Sequence, residues 1–456
     1  MTVDSDADAD VLVVGGGIAG SMAALAAARA KRTATVRLVS GGETTLQAAS
    51  GLIDVLGYTP DGEGPLRDPF EAIPDLPAEH PYATVGLEAI RDGLALFDGV
   101  TGDAYRGDHT TLNALVPTVA GATKPTARYP TSVAAGLAAR TDDMLLVGFE
   151  ESTAMDAHLV ADRLQQAGVP FSTTGVDVRF PDPVTEWPAA PGMAAALDAN
   201  EAATSGAGGS DRSIRVALAD AIYQYHEFQD RVGLPAVLGT TDHRATRATI
   251  ADRLDVDVFE VPLGPPSILG RRLARRLAEA LDREGVAVTN GRVEDVDVAD
   301  GRVNELVVER QDGGDDERVD GDAGRGTGEG GDGEDGQSEV HEAGAVVLAT
   351  GGLAGGGLEA DRSGVREPLF GCHVETPPDR YDWFSDDVFG DHAFPRFGVD
   401  TDDALRPLGD DGDPEFENLH AAGGVLGGYD FAAEKSGGGV SVATGYVAGC
   451  RAVESY

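Results

Sequence analysis

Asp10-Val-Leu-Val-Val-Gly-Gly-Gly-Ile-Ala-Gly20 is the stretch from which the rest of the chain is read. Val11–Val14 is a short apolar run, the pattern of a strand buried on both faces. Gly15, Gly17 and Gly20 follow on the G-x-G-x-x-G spacing, and the alanine-rich Ser21–Ala30 reads as a helix. Gly15 permits the tight turn, Gly17 lets a phosphate reach the backbone, and Gly20 lets helix and strand pack closely. The N–H groups at the helix start, including those of Ile18 and Ala19, face an anion at the positive end of the helix dipole. Lying between a strand and a helix, the motif predicts a nucleotide or flavin site and not an ordinary glycine turn. Val11–Ala28 carries no charge and is long enough for a membrane span. Its glycines and alanines make it too weakly hydrophobic for one, and Val36–Val39 supplies the next strand.

Outward from there, Thr35–Val39 is the second strand of the nucleotide unit. A dinucleotide unit usually places an acid near this strand's end to take a ribose hydroxyl. Here the strand ends in Ser40-Gly41-Gly42, with Glu43 beyond. Either Glu43 reaches back, or the cofactor is a mononucleotide such as FMN. Ser50-Gly51 offers a hydroxyl and bare N–H groups to such a ligand, unless Ser50 only caps a helix. Residues 59–82, rich in Pro, Gly and Asp, read as a surface excursion ending in His80-Pro81-Tyr82. Glu88–Phe97 reads as an amphipathic helix.

The chain has 456 residues, enough for two lobes. Its 78 acidic and 35 basic residues leave a formal charge of −43, and its lysines are Lys31, Lys124 and Lys435 alone. Acid spread over a whole chain, with arginine in place of lysine, suits a high-salt cytosol, where screening weakens self-repulsion. The same charge argues against nucleic acid, and against unassisted binding to an anionic membrane. Two cysteines, Cys372 and Cys450, exclude a disulfide framework and a four-cysteine iron–sulfur site. No metal site is expected. The polar, acidic Met1–Asp10 is no secretory signal, so the expectation is a cytoplasmic protein.

The fold class expected is α/β: a Rossmann-like domain with an inserted α/β cap, or substrate, domain. Residues 1–99 and 340–456 form its two parts, 100–265 the cap, 266–310 a helix and hairpin, and 311–339 a disordered loop. In the cap, Met144–Phe149 reads as a strand and Asp156–Ala167 as a helix ended by Gly168; Ile214–Phe228 reads as another helix, with His226 at its surface. Val256–Pro262 is a strand, and Pro265-Pro266-Ser267 starts a helix to Glu284 carrying Arg271, Arg272, Arg275 and Arg276. Those arginines form either a solvated face, with Arg275 paired to Glu279, or an anion or docking site. Val286–Val288, Val293–Val298 and Val303–Val308 read as strands. Residues 311–339, almost all Asp, Gly, Glu and Ser, cannot bury a core.

Ala345–Ala349 returns as a buried strand ending in Ala349-Thr350-Gly351-Gly352, the exit by which flavoproteins of this fold commonly re-enter beside the cofactor. Glu417–Gly424 is a short strand into a glycine turn at Gly424. Lys435-Ser-Gly437-Gly438-Gly439 then precedes an alanine-rich helix to Val453. A glycine turn feeding a helix start suits the flavin edge where negative charge develops on reduction.

The chain resembles the B subunit of anaerobic, respiratory glycerol-3-phosphate dehydrogenase, a branch of the fumarate reductase-like flavoproteins. The residues carrying the resemblance are Ser50–Asp54, His80–Tyr82, Pro265–Gly270, Gly364–Gly371, Phe397–Asp400, Leu405–Pro407 and Asn418–Gly439. It implies oxidation of sn-glycerol 3-phosphate to dihydroxyacetone phosphate, with electrons passed to the quinone pool. The implied partners are a homologous catalytic flavoprotein, the enzyme's A subunit, and an iron–sulfur, membrane-associated C subunit, through which the chain would reach the membrane. It implies FMN here, with FAD as the alternative. Such a reaction needs a cationic clamp for the dianion, for which Arg366, Arg406 and Lys435 are the candidates. It also needs a base, for which His373 and His420 are the candidates. The alternatives are an electron relay without substrate chemistry, another flavin reductase, and a scaffold with a degenerate flavin fold.

Overall fold

The structure is a computed structural model that describes residues 9–42, 44–181, 189–203, 212–311, 338–388 and 390–456. The chain divides into two compact units. The first comprises Met1–Thr44, Leu281–Gly428 and Thr444–Tyr456; the second comprises Thr45–Ala280 and Tyr429–Ala443. These limits fall elsewhere than expected: residues 45–99 go with the inserted unit, and its last helix runs past 265. Glu43 and almost all of the acidic stretch 311–339 lie outside the described residues.

In chain order, β1 (Ala9–Val14), α1 (Ile18–Ala30) and β2 (Val36–Ser40) open the first unit. The second unit follows with α2 (Pro81–Thr101), β3 (Ala114–Pro117), β4 (Thr123–Thr126), β5 (Met144–Phe149), α3 (Ala157–Gln166) and β6 (Thr173–Val178). It continues with α4 (Ala190–Ala199), α5 (Ile214–Tyr223), β7 (Arg231–Pro235), α6 (His243–Leu254), β8 (Asp257–Val261) and α7 (Ile268–Arg283). The chain returns through β9 (Ala287–Ala299), β10 (Arg302–Arg310), β11 (Ser338–Leu348) and β12 (Leu419–Ala421), and ends in α8 (Gly437–Ala452).

In the first unit β1 lies between β2 and β11, parallel to both. Val11, Leu12 and Val13 are wholly buried, as an unalternating apolar run requires. Burying each such side chain contributes roughly 1.5–3 kcal/mol. The runs expected as separate strands at 286–288 and 293–298 are one strand, β9. Its start pairs with β2 in parallel, and from Gly291 on it pairs with β10 antiparallel, with register shifts at Val293/Asp295 and Asp297/Val298. Such bulges increase local twist and bend a strand. β11 is divided the same way: Ser338–Glu342 pairs with β10, and Ala343–Leu348 with β1. β10 and β11 are thus the hairpin whose connection is the acidic stretch.

The second unit has its own four-stranded sheet in the order β8-β7-β5-β6, all parallel. This is a doubly wound arrangement with the expected α/β character. The Asp156 carboxylate caps α3 by accepting from Leu159 N, 2.9 Å away. α5 ends at Tyr223, short of the expected Phe228, and His226 Nε2 turns back onto Gln229 O. α7 is no simple solvated face. Arg272 is buried and grips the fully buried Glu260 with two guanidinium nitrogens, 2.5 and 2.8 Å away. Arg275 donates to Thr240 O at 2.9 Å and lies 3.7 Å from Glu279.

Candidate functional site

The register Val14↔Leu348, Val14↔Val39 and Leu348↔Ala421 sets four strand ends along one edge of the first sheet. The loops after β1, β2, β11 and β12 therefore leave side by side. They are pinned by Gly15 N to Val39 O at 2.9 Å, Ala349 N to Val14 O at 2.8 Å and Ala422 N to Leu348 O at 2.9 Å. Ligands of open parallel sheets sit at this carboxyl edge.

Gly15 has φ +118°, and a Cβ there would lie 2.6 Å from the carbonyl carbon of Ala349 and 3.0 Å from Thr350 N. Only glycine permits that approach. A Cβ on Gly16 would run into the Ser40 hydroxyl, and one on Gly352 into the Gly424 carbonyl. The N-terminal loop, Ser40, the Ala349-Thr350-Gly351 exit and Gly424 thus meet within one unit. A Cβ on Gly20 would strike the Gly15 carbonyl, so this glycine packs helix against turn.

Gly17 is different. It is the N-cap of α1, and among the described residues no side chain caps the helix and nothing lies within 4 Å of where its Cβ would stand. The first turn of α1, with Ile18 and Ala19, thus begins beside open space. Thr350 Oγ1, in the exit loop whose backbone approaches Gly15, is buried with no hydrogen-bond partner among the described residues. A backbone-lined cradle, an uncapped helix start and an orphaned buried hydroxyl fit a phosphate-bearing flavin.

Ser50, Gly51, Lys435 and Gly437–Gly439 belong to the second unit. There Gly439 N donates to Asp54 O at 2.7 Å, and a Cβ on Gly438 would lie 3.1 Å from Asp54 N. The glycine start of α8 is therefore packed on the Ser50–Asp54 loop. Gly51 is pressed against Leu269.

Beneath them lies a buried polar network that the sequence reading missed. His80 and Tyr82, expected at the end of a surface excursion, are fully buried. His80 Nδ1 accepts from Tyr82 N at 3.0 Å, so Nε2 carries the proton and donates to Glu434 Oε2, 3.1 Å away. Ser436 Oγ donates to the same carboxylate oxygen at 3.0 Å. Asp54 Oδ2 pairs with Lys124 Nζ at 2.5 Å, while Asp54 Oδ1 has no partner among the described residues. Burial pushes the Asp54 carboxyl up against the pull of Lys124 and Thr126. One signal was available: Lys124 and Lys435, two of the chain's three lysines, both act on Asp54.

The expected clamps already have internal partners. Arg366 is exposed and pairs with Glu359 and Asp361. Arg406 forms a fork to Asp402 at 2.9 and 2.7 Å. Lys435 donates to the Ala432 carbonyl and takes φ +53° at the end of a short helix. Of the expected bases, His420 is buried. Its Nδ1 donates to Ala404 O at 2.8 Å and its Nε2 lies 3.1 Å from the Ser455 hydroxyl. Burial lowers its pKa, so it is neutral. His373 is half-buried and held by its backbone N–H, 3.0 Å from Glu415 Oε2. Its ring has no hydrogen-bond partner among the described residues.

Residues 10–440 match the family described as FAD binding domain. Over 449 residues the chain is 49% identical to a probable B subunit of anaerobic glycerol-3-phosphate dehydrogenase from Halobacterium salinarum, covering 98% of both chains. The chain belongs to this family. It is a flavoprotein and an oxidoreductase of α/β fold. The B subunit of the Vibrio cholerae enzyme of the same name is 29% identical over 96% of this chain and 94% of its own. A flavocytochrome c3 fumarate reductase in an open conformation aligns at 13% identity and a TM-score of 0.42, covering 98% of this chain and 78% of its own. Relatives named as B subunits are parts of multi-subunit assemblies. Among the described residues no helix is long and apolar enough to cross a membrane, and no cluster of three His, Cys, Asp or Glu could hold a metal.

Proposed function

We propose that the chain is the flavin-dependent B subunit of an anaerobic glycerol-3-phosphate dehydrogenase. It would oxidise sn-glycerol 3-phosphate to dihydroxyacetone phosphate and pass the electrons towards quinone. The observation that carries this reading is the meeting of Gly15, Ser40, Thr350 and Gly424 at one sheet edge beside an uncapped helix start. The relatives' names supply the substrate. The flavin, when bound, supplies hydride acceptance. The chain's own part is to hold it through Gly15–Gly20, Ser40, Thr350 and Gly351, to bind the substrate dianion, and to take the hydroxyl proton. His373 is the better base of the two expected, because both ring nitrogens of His420 are held in structural contacts. We propose FAD as the flavin: the FMN expectation rested on the resemblance and on the missing acid after β2, whereas the matching family is one of FAD-binding domains.

The proposed partners are a homologous flavoprotein as the A subunit and an iron–sulfur protein as the C subunit. In that assembly the chain would be cytoplasmic and reach the membrane through the iron–sulfur partner. The internal partners of Arg366, Arg406 and Lys435 favour a second reading, in which this chain relays electrons and the homologous flavoprotein holds the substrate. Anaerobic titration decides. If glycerol 3-phosphate bleaches the flavin of the purified chain, the catalytic reading stands. If it bleaches only the assembled complex, the relay reading replaces it; a chain purified colourless with flavin present removes both. Mass measurement of the extracted cofactor separates FAD from FMN.

A further inference from the structure

A cleft of about 480 Å³ opens in the first unit between the 362–364 turn and the 376–383 segment. Arg362 and Arg380 both line it, together with Ser363, Thr376, Asp379 and Trp383. Neither guanidinium has an acidic partner among the described residues. The Arg380 guanidinium lies over the Tyr381 ring, 5.5 Å from its centroid. In a chain with 78 carboxylates for 35 cations, two arginines that line one cleft and form no ion pair among the described residues, even with Asp379 in the same lining, are out of keeping with their surroundings.

Of the other polar side chains of the cleft, two atoms have no hydrogen bond among the described residues, the Thr376 hydroxyl and the second carboxylate oxygen of Asp379. Asp379 is turned to its own backbone, where Oδ1 accepts from Tyr381 N at 3.0 Å. The Ser363 hydroxyl donates to Asp361. The half-buried Thr376 hydroxyl has no hydrogen-bond partner among the described residues. The wall is firm: Trp383 is buried, donates from Nε1 to Pro377 O at 3.0 Å, and stacks on Phe394 at 6.0 Å and 25°. A rigid aromatic wall, two planar cations and a free hydroxyl are the donor set of an oxyanion site, because a guanidinium matches phosphate oxygens in pairs.

We propose that this cleft binds the phosphate monoester group of the chain's small-molecule substrate, with Arg362 and Arg380 as its cationic sides and Thr376 as a neutral donor. The three cations singled out from the sequence are engaged inside the protein, and these two are not. That the monoester is glycerol 3-phosphate rests on the function proposed above; the anion site itself does not.

The chain has two tryptophans, Trp187 and Trp383. Trp187→Phe therefore leaves Trp383 as the only indole, reporting from the cleft wall without any turnover. The flavin-loaded full chain carrying this change is titrated in molar potassium chloride with inorganic phosphate, glycerol 3-phosphate and glycerol. Saturable changes in emission are expected with the first two and none with glycerol. Arg362→Gln and Arg380→Gln should each weaken binding about tenfold, the loss of one charge-assisted pair. Both arginines are exposed, so thermal melting of these variants should match the parent. No saturable signal with either phosphate compound, or binding unmoved in the double variant, overturns the site. Unchanged KM for glycerol 3-phosphate in the double variant overturns it too, while leaving the proposed function standing. Phosphate binding that the double variant loses, in a chain and complex whose flavin glycerol 3-phosphate never reduces, keeps the site and removes the function.

Discussion

Gly15→Ala and Gly17→Ala, made side by side, separate what the glycine loop does for the fold from what it does for the ligand. At Gly15 the new Cβ would lie 2.6 Å from the Ala349 carbonyl carbon, where ordinary contact begins at 3.4 Å. The Ala349 carbonyl oxygen lies nearer still, so the β1–β11 edge must give by more than about 0.8 Å, the difference of those two distances. The backbone at φ +118° is in addition one that alanine adopts only under strain. Strain of about 1–3 kcal/mol and overpacking of about 1–3 kcal/mol put the loss near 3 kcal/mol or more. Gly17 has ordinary φ of −71° and open space around its Cβ position. Alanine there loses only a modest N-cap preference, about 0.5–1 kcal/mol. Yet the methyl occupies the space through which a phosphate reaches the backbone, so flavin should bind at least about tenfold more weakly, or about 1.4 kcal/mol. Urea unfolding of the flavin-stripped protein and flavin titration by fluorescence give the two numbers. Gly15→Ala as stable as the parent would refute the account of the sheet edge. Gly17→Ala binding flavin within twofold of the parent would refute the assignment of the open space to the cofactor.

Arg272→Met should destabilise the protein by about 3–5 kcal/mol in denaturant unfolding, because it leaves Glu260 buried and unpaired. Burial alone would raise the Glu260 carboxyl, but Arg272, with help from Ser132, outweighs it and holds it at about 2. A folded value below the unfolded one means stability that is present above pH 4.5 and lost as pH falls towards 2. Burial, and then Arg272, also depress His243 from 6.5 to about 4, so its contribution is present above pH 6.5 and lost between 6.5 and 4. His243→Gln should accordingly flatten stability across that upper window and leave the lower one; an unchanged profile would contradict the buried neutral ring. His80→Ala should lower stability by about 2–3 kcal/mol by stranding Glu434, with Glu434→Gln recovering part of the loss in the double variant, as read by thermal melting. Replacing residues 312–337 by a short turn should leave the fold intact and stability equal or higher, since Glu309 and Ser338 already pair across the hairpin. A fall of several kcal/mol on calorimetry would show that the acidic stretch carries structure.

The carboxyl-edge site of the first unit was legible because each of its parts is local. Val11–Val14 followed by Gly15-x-Gly17-x-x-Gly20, and Ala345–Ala349 followed by Thr350-Gly351, declare a strand, a turn and a close backbone approach within a few residues. The buried ends of the second unit were not legible. His80-Pro81-Tyr82 stands in a polar stretch, and only its distant partner Glu434 makes burial tolerable. Arg272 likewise looks like a surface cation until Glu260, on another element, neutralises it.

The sequence by itself determined the α/β class, the glycine cradle, the acidic surface and the strand that returns beside β1, since periodicity and turn chemistry are properties of neighbouring residues. Tertiary structure alone decided which cations are free. Arg366, Arg406 and Lys435 have partners; Arg362 and Arg380 share a cleft without an ion pair among the described residues. Whether a charge is paired depends on residues brought near by folding, and no local pattern encodes that.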